Sequence, residues 1–235
     1  MQLPTIVAIG GFASEVGKTT LICDLLQAFP EWQAIKMTRG HYGSCGKDAQ
    51  ACCVSHLLSN EPVIRSGRDQ TYAPGKDTGR YWDAGAANVH WVIATDDQEE
   101  QGLRQVLGRV TAPGVFIEGN SFTQYLLPNF MLMVARPDGG TITSLARRAL
   151  KQVSALYVYD ANCDGVRARQ RFDSWLNDSE IVKVIGSLPI FTREDLPHLV
   201  AQVWAIELDH LNGRDIGPKP AESGWNWARS AVRGD

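Results

Sequence analysis

No apolar run in the chain approaches the ~20 residues that a membrane-spanning helix needs, so no membrane segment is expected. Met1-Gln2-Leu3-Pro4 passes straight into a strand pattern, with no charged-then-apolar leader, so no signal peptide is expected either. The net charge is only -3, which leaves no global field to recruit nucleic acid or a membrane surface. There is no low-complexity segment, internal repeat or linker. No Cys-x-x-Cys pair occurs among the five cysteines (23, 45, 52, 53 and 163), and a reducing, cytoplasmic setting is the expectation, where disulfides are rare.

What is present suits one large α/β domain over residues 1–235, with 44% hydrophobic residues to build a core. Apolar runs at Ile6 to Ile9, Trp32 to Met37, Val89 to Ala94, Gly114 to Asn120, Phe130 to Ala135, Ala155 to Asp160 and Ile181 to Ile185 read as strands. Between them lie helical stripes: Leu21, Ile22, Leu25, Leu26 and Phe29; the stretch from Thr95 to about Leu107; Ile142 to Val153; and a last helix with Asp195 as cap and Pro197 in its first turn. Alternation of this kind predicts a doubly wound, mostly parallel sheet of about seven strands with helices on both faces. Residues 40–80 are the least regular part, with a short helix expected around Gln50 to Leu58. The tail at 212–235 is rich in Gly and Pro but carries Trp225 and Trp227.

The chain is organised around Gly10-Gly11-Phe12-Ala13-Ser14-Glu15-Val16-Gly17-Lys18-Thr19-Thr20. A glycine loop between a buried strand and a helix, closed by Lys-Thr, is the context of a phosphate-binding loop. Gly11 and Gly17 let consecutive amides turn inward at an anion, and the helix start adds its positive dipole end. Lys18 is expected to reach the terminal phosphates and the Thr19 hydroxyl to ligate Mg²⁺, with Ser14, Glu15, Val16 and Thr20 completing the cradle. Five residues separate Gly11 from Gly17, where the common form has four.

In an open parallel sheet, ligands sit beyond the carboxyl ends of the strands. The polar residues there are Lys36, Thr38, Arg39 and His41 after the second predicted strand, Glu118 and Asn120 after the fourth, and Asp160, Asn162 and Asp164 after the sixth. Glu118, closing an apolar strand, suits a Mg²⁺ ligand or a base. His41, Cys45, Cys52, Cys53 and His56 crowd three thiols and two imidazoles into sixteen positions. Cys52 and His56 stand at i, i+4, on one helical face. Three readings stay open for them: a Zn²⁺ or Fe–S site, redox or substrate contact, and packing as small buried hydrophobes. The basic groups Arg147-Arg148-Lys151 and Arg167-Arg169-Arg171 read as solvated helix faces.

The extended loop, Ile117-Glu118-Gly119 and Val184-Ile185-Gly186-Ser187-Leu188-Pro189 resemble dethiobiotin synthetases. Ile35-Lys36 with His41, Pro74-Gly75-Lys76-Asp77-Thr78-Gly79-Arg80, Asp83-Ala84-Gly85-Ala86 and Glu118-Gly119 resemble the molybdopterin-guanine dinucleotide biosynthesis adaptor of the MobB type. Both families are dimeric P-loop NTPases of the MinD and signal-recognition class. The resemblance implies Mg²⁺ with ATP or GTP, Asp77 and Glu118 near the metal beside Thr19, and Lys36 facing the reacting phosphate or a carboxyl substrate. It implies too that Lys36 or Arg80 steadies developing charge, that Asn162 stands where this class reads the base, and that the protein is a homodimer. The expected function is hydrolysis or transfer of a terminal phosphate in a small-molecule or cofactor biosynthesis step. The alternative is a nucleotide-switched adaptor or metallochaperone that hands molybdopterin or a metal to a partner enzyme through the Cys45/Cys52/Cys53 segment.

Overall fold

The computed structural model describes residues 3–40 and 54–214. Its strands are β1 (Thr5–Gly11), β2 (Gln33–Arg39), β3 (Val63–Ser66), β4 (Asn88–Ala94), β5 (Gly114–Glu118), β6 (Phe130–Ala135), β7 (Ala155–Val158) and β8 (Ile190–Phe191). Its helices are α1 (Lys18–Ala28), α2 (Arg68–Thr71), α3 (Asp77–Asp83), α4 (Glu99–Leu107), α5 (Ser144–Ala149), α6 (Gly165–Asn177), α7 (Val182–Ile185) and α8 (Leu196–Leu211). The described strands form one sheet in the order β3-β4-β2-β5-β1-β6-β7-β8, with every pairing parallel except β3 against β4. This is an α/β, doubly wound, mostly parallel sheet with helices on both faces, as the alternation of apolar runs and amphipathic stripes predicts.

All seven residues of β1 are buried, because helices cover both faces of the sheet. Ile6 and Ala8 point into one core with Leu103 and Val106 of α4 and Phe172 and Leu176 of α6. Val7 and Ile9 point into the other, with Leu21 and Leu25 of α1 and Leu199 and Val203 of α8. The period of two along the strand thus divides one apolar run between two layers. In the second core Trp32 lies 4.8 Å from Phe29 and 4.7 Å from Phe116 between ring centroids, and its indole N–H donates to Glu207 Oε1 at 3.1 Å. That bond satisfies a polar atom which burial would otherwise leave without water.

The run Ile181 to Ile185 is helical at Val182–Ile185, and not the strand its β-branched residues suggest. Ile181 and Ile185, four apart, are 4% and 5% exposed, while Val182 and Val184 are 36% and 55% exposed. Burial of the i, i+4 pair against the sheet decides the conformation over intrinsic β preference. Residues 54–80 hold more order than expected: an antiparallel edge strand, β3, and two short helices, α2 and α3. The two-residue β8 at the other edge is too short to carry a pattern. Of the helix expected around Gln50 to Leu58, the described part is a 3₁₀ turn at Ser55–Leu57. Thr95 caps the turn before α4 through a capping box with Gln98, and Pro197 sits at the start of α8 as expected. Arg147 and Arg148 on α5 are exposed, and Arg167, Arg169 and Arg171 pair with Asp164, Asp173 and Asp160, as solvated helix faces do.

Candidate functional site

β1 ends at Gly11, and the chain wraps over the start of α1, where Gly17 takes φ 100°, ψ 10°. Glu15 also has positive φ, at 57°, and is the one such non-glycine residue among the described residues. Left-handed turns of this kind rotate backbone N–H groups towards a common concavity, which suits an anion. Asn120 ties the loop's base down: its Oδ1 accepts from Gly11 N at 2.9 Å and its Nδ2 donates to Gly11 O at 2.8 Å. A Cβ on Gly10 would lie 2.3 Å from Asn120 Oδ1, so only glycine admits this lock. Asn120, read from the sequence as a polar strand-end candidate, is thereby committed to the backbone.

The loop opens on a cavity of about 690 Å³ at the carboxyl ends of β1, β2 and β5, where an open parallel sheet binds ligands. Ser14, Glu15, Gly17, Lys18, Thr19 and Thr20 line it. Lys36, Arg39, Asp77, Arg80 and Glu118 line it beside them. Thr19 Oγ1 lies 2.9 Å from Asp77 Oδ1 and 3.2 Å from Glu118 Oε2. Lys36 Nζ lies 2.7 Å from Asp77 Oδ2 and 2.5 Å from Glu118 Oε1. Tyr81 O–H donates to Glu118 Oε2 from a fully buried position. Arg80 reaches back to Thr20 Oγ1 at 3.1 Å, and Lys18 Nζ donates to Ala13 O at 3.0 Å. Most of the residues expected at the phosphates, the metal and the developing charge are therefore brought together, whereas Gly11, tied to Asn120, and the buried Val16 do not line this cavity.

The electrostatics follow from burial and these partners. Burial pulls the Lys18 ammonium below its ordinary pKa, with Glu118 opposing. Burial works against the charge on Lys36 too, but Glu118 and then Asp77 outweigh it and hold the ammonium above the usual lysine value. Burial acts to raise Asp77, and Lys36 reverses that, leaving the carboxyl below its usual range. Tyr81 is pushed well above the ordinary phenol value by burial and by Glu118, so it stays a proton donor. Burial lifts the thiol of Cys23 to about 11, far from a reactive thiolate.

Asn162 is placed apart from this cluster. It lines a second cavity of about 200 Å³ with Arg136, Asp138, Asp160 and Arg171, and its backbone N–H donates to Asp160 Oδ1 at 2.9 Å. Glu15 and Tyr159 border both cavities. The Gly186 to Pro189 segment lines neither. His41, Cys45, Cys52 and Cys53 lie outside the described residues. His56 is exposed in its 3₁₀ turn, and among the described residues no three His, Cys, Asp or Glu side chains converge as a metal cluster would.

Two residues of the site escape a reading of the sequence. Tyr81 stands four positions after Asp77, on the same face of α3, and that spacing was the signal available for it. Tyr159 packs against Gly17 from the end of β7, a contact between residues 142 positions apart that no local pattern announces.

No family model matches the chain, and no curated protein does. Among solved structures it is similar to a putative plasmid partition protein from Borrelia burgdorferi B31 bound to AMPPNP. The identity is 13% over 90% of this chain and 99% of that one, with a TM-score of 0.37. A second plasmid partition protein from Borrelia burgdorferi matches at 12% identity over 90% of this chain and all of that one, with a TM-score of 0.38. An ATP complex of McdA from Cyanothece matches at 9% identity over 92% of this chain and 94% of that one, also with a TM-score of 0.38. At these scores the likenesses add nothing to what the chain's own topology and loop establish.

Proposed function

We propose that the protein binds a nucleoside triphosphate with Mg²⁺ in the 690 Å³ cavity and hydrolyses or transfers the terminal phosphate in a small-molecule or cofactor biosynthesis step. The observation that carries this reading is the meeting of Thr19, Asp77 and Glu118 within 3.2 Å contacts beside Lys18 and the loop amides. Those three side chains offer only hard oxygen donors, the set that suits Mg²⁺, and they fit the ion. When bound, Mg²⁺ neutralises charge on the phosphate oxygens. Thr19, Asp77 and Glu118 would hold it.

The protein's own groups supply the rest. The loop amides and the dipole end of α1 orient the phosphates, and Lys18 neutralises the terminal one. Tyr81 keeps Glu118 in place by donating to one of its oxygens. Arg80 and Lys36 line the same cavity, so an acceptor beside them would be anionic, a carboxylate or a phosphate. Positioning an acceptor and excluding water are all that separate transfer from hydrolysis. The family resemblance adds a homodimer to this reading.

A second reading, an adaptor or metallochaperone, is favoured by the density of thiols and imidazoles from His41 to His56. Elemental analysis of anaerobically purified protein separates the two: about one equivalent of zinc or iron per chain supports delivery, and metal-free protein supports the enzyme. The test of the first reading is nucleotide affinity in the wild type and in Lys18→Ala, measured by equilibrium dialysis with ATP and GTP. We expect binding to be abolished in the variant. Undiminished affinity in Lys18→Ala would overturn the assignment of the loop.

A further inference from the structure

We propose that Lys36 is an internal counterion that keeps divalent cations out of the Asp77/Glu118 site until nucleotide arrives, and then turns to the ligand. The inference rests on the nucleotide reading above. Every carboxylate oxygen of the pair is engaged. Asp77 Oδ1 takes the Thr19 hydroxyl at 2.9 Å, and Glu118 Oε2 takes the Tyr81 hydroxyl, with Thr19 Oγ1 3.2 Å away. Asp77 Oδ2 and Glu118 Oε1 take the Lys36 ammonium, at 2.7 and 2.5 Å. A cation seated between Asp77 Oδ2 and Glu118 Oε1 would take the place of the Lys36 ammonium.

Tyr81 is fully buried and held in α3, and Thr19 is a neutral ligand that a metal would keep. Lys36 is the partner that carries positive charge and has a flexible stem, and its side chain is 19% exposed to the cavity. Lys18, Lys36 and Arg80 outweigh Asp77 and Glu118, so a free divalent ion meets no net attraction in the cluster. A bound polyphosphate reverses the local sign. It draws the Lys36 ammonium towards itself and leaves Asp77 Oδ2 and Glu118 Oε1 for the ion that accompanies it. The one movement thus couples metal entry to presentation of Lys36 at the reacting end.

The experiment is Mn²⁺ binding to the nucleotide-free full chain, read from the loss of the free-ion EPR signal. Wild type is expected to bind weakly. Lys36→Met and Lys36→Gln are expected to bind at least about tenfold more tightly, since a full positive charge within a few ångströms of the ion has gone. The gain should disappear in Lys36→Met/Asp77→Asn, which loses one ligand. Lys36→Arg, which keeps the charge, should stay as weak as wild type. Circular dichroism selects whichever of the two neutral variants is folded. Equal, weak binding by a folded neutral variant and wild type would overturn the proposal, as would tight binding by wild type or a gain that survives Asp77→Asn. Equilibrium dialysis with ATP separates the two readings: wild type that binds no ATP refutes the nucleotide assignment, whereas the nucleotide-free Mn²⁺ series alone decides the role of Lys36.

Discussion

Acid should weaken this protein well above the range where carboxylates titrate, and His90 is the reason. Its ring is buried on β4, 1% exposed, with Nδ1 2.8 Å from Ser66 Oγ and Nε2 3.1 Å from Gln33 Oε1. Gln33 donates its own amide to Thr111, which leaves its oxygen to accept from Nε2. Arg109 donates to Ser66 Oγ at 3.4 Å, so the serine hydroxyl points its proton at Nδ1. The network therefore holds a neutral imidazole, and burial, followed by the positive charge of Arg109, lowers its pKa from 6.5 to about 4. Between those values the unfolded chain takes up a proton that the folded chain refuses. Stability is fully present above pH 6.5 and is lost as pH falls. Linkage puts the loss at about 2 kcal/mol between pH 7.5 and 5, and at about 3 kcal/mol by pH 4. Urea unfolding followed by tryptophan fluorescence measures it, with His90→Gln as the comparison that cannot titrate. Burial raises the carboxyls of Glu99 and Glu207, whose titration is common to both proteins and cancels. Parallel loss of stability in the two proteins over pH 7.5 to 5 would refute the assignment of a buried neutral ring.

The loop and the metal side make further predictions. Gly17→Ala should lower nucleotide affinity by about tenfold or more and destabilise the fold by at least the roughly 1–2 kcal/mol of a left-handed non-glycine residue, because its Cβ would also stand 2.3 Å from Tyr159 Cδ1. Adding Tyr159→Ala should recover the share due to the clash and none of that due to φ, which calorimetry with a nucleotide titration resolves. Tyr81→Phe should cost about 1.5–3 kcal/mol, the range for a hydrogen bond to a charged group. It should slow phosphate release, since Glu118 loses its buried donor, while nucleotide affinity without metal is unchanged. Equal stability of Tyr81→Phe and wild type in urea would show that the hydroxyl does not hold Glu118.

Much of the fold was legible because the residues that build it obey short periods. The four-residue run Ile6 to Ile9, the Gly-Lys-Thr after it and the stripe of α1 each announce themselves within a dozen positions. Lys36 and Glu118 were legible as polar ends of apolar strands. What escaped depended on distance or on competing signals. Val182 to Val184 carry β-branched residues, yet the buried spacing of Ile181 and Ile185 makes the segment helical. The edge strand β3 is half-buried along its whole length and shows no clean alternation. Tyr81 hides in a stretch rich in turn-forming glycine, where a seven-residue helix has little propensity to declare itself.

The cluster itself is a consequence of strand register. Lys36 and Glu118 are direct partners in the parallel pairing of β2 with β5, and Glu118 is in turn opposite Ile9 of β1, two residues before the loop begins. A shift of β2 by one position would set Ile35 or Met37 beside Glu118 and turn Lys36 to the opposite face of the sheet. That shift is barred by the cores: Ile35 belongs to one apolar layer and Ala34 to the other, and a slip would exchange them. Hydrophobic packing on both faces therefore fixes which ammonium meets which carboxylate, at the one end of the sheet where the loop, α1 and α3 converge. The same packing sets Glu118, only 2% exposed, among partners that the frame delivers and that need no separate ordering.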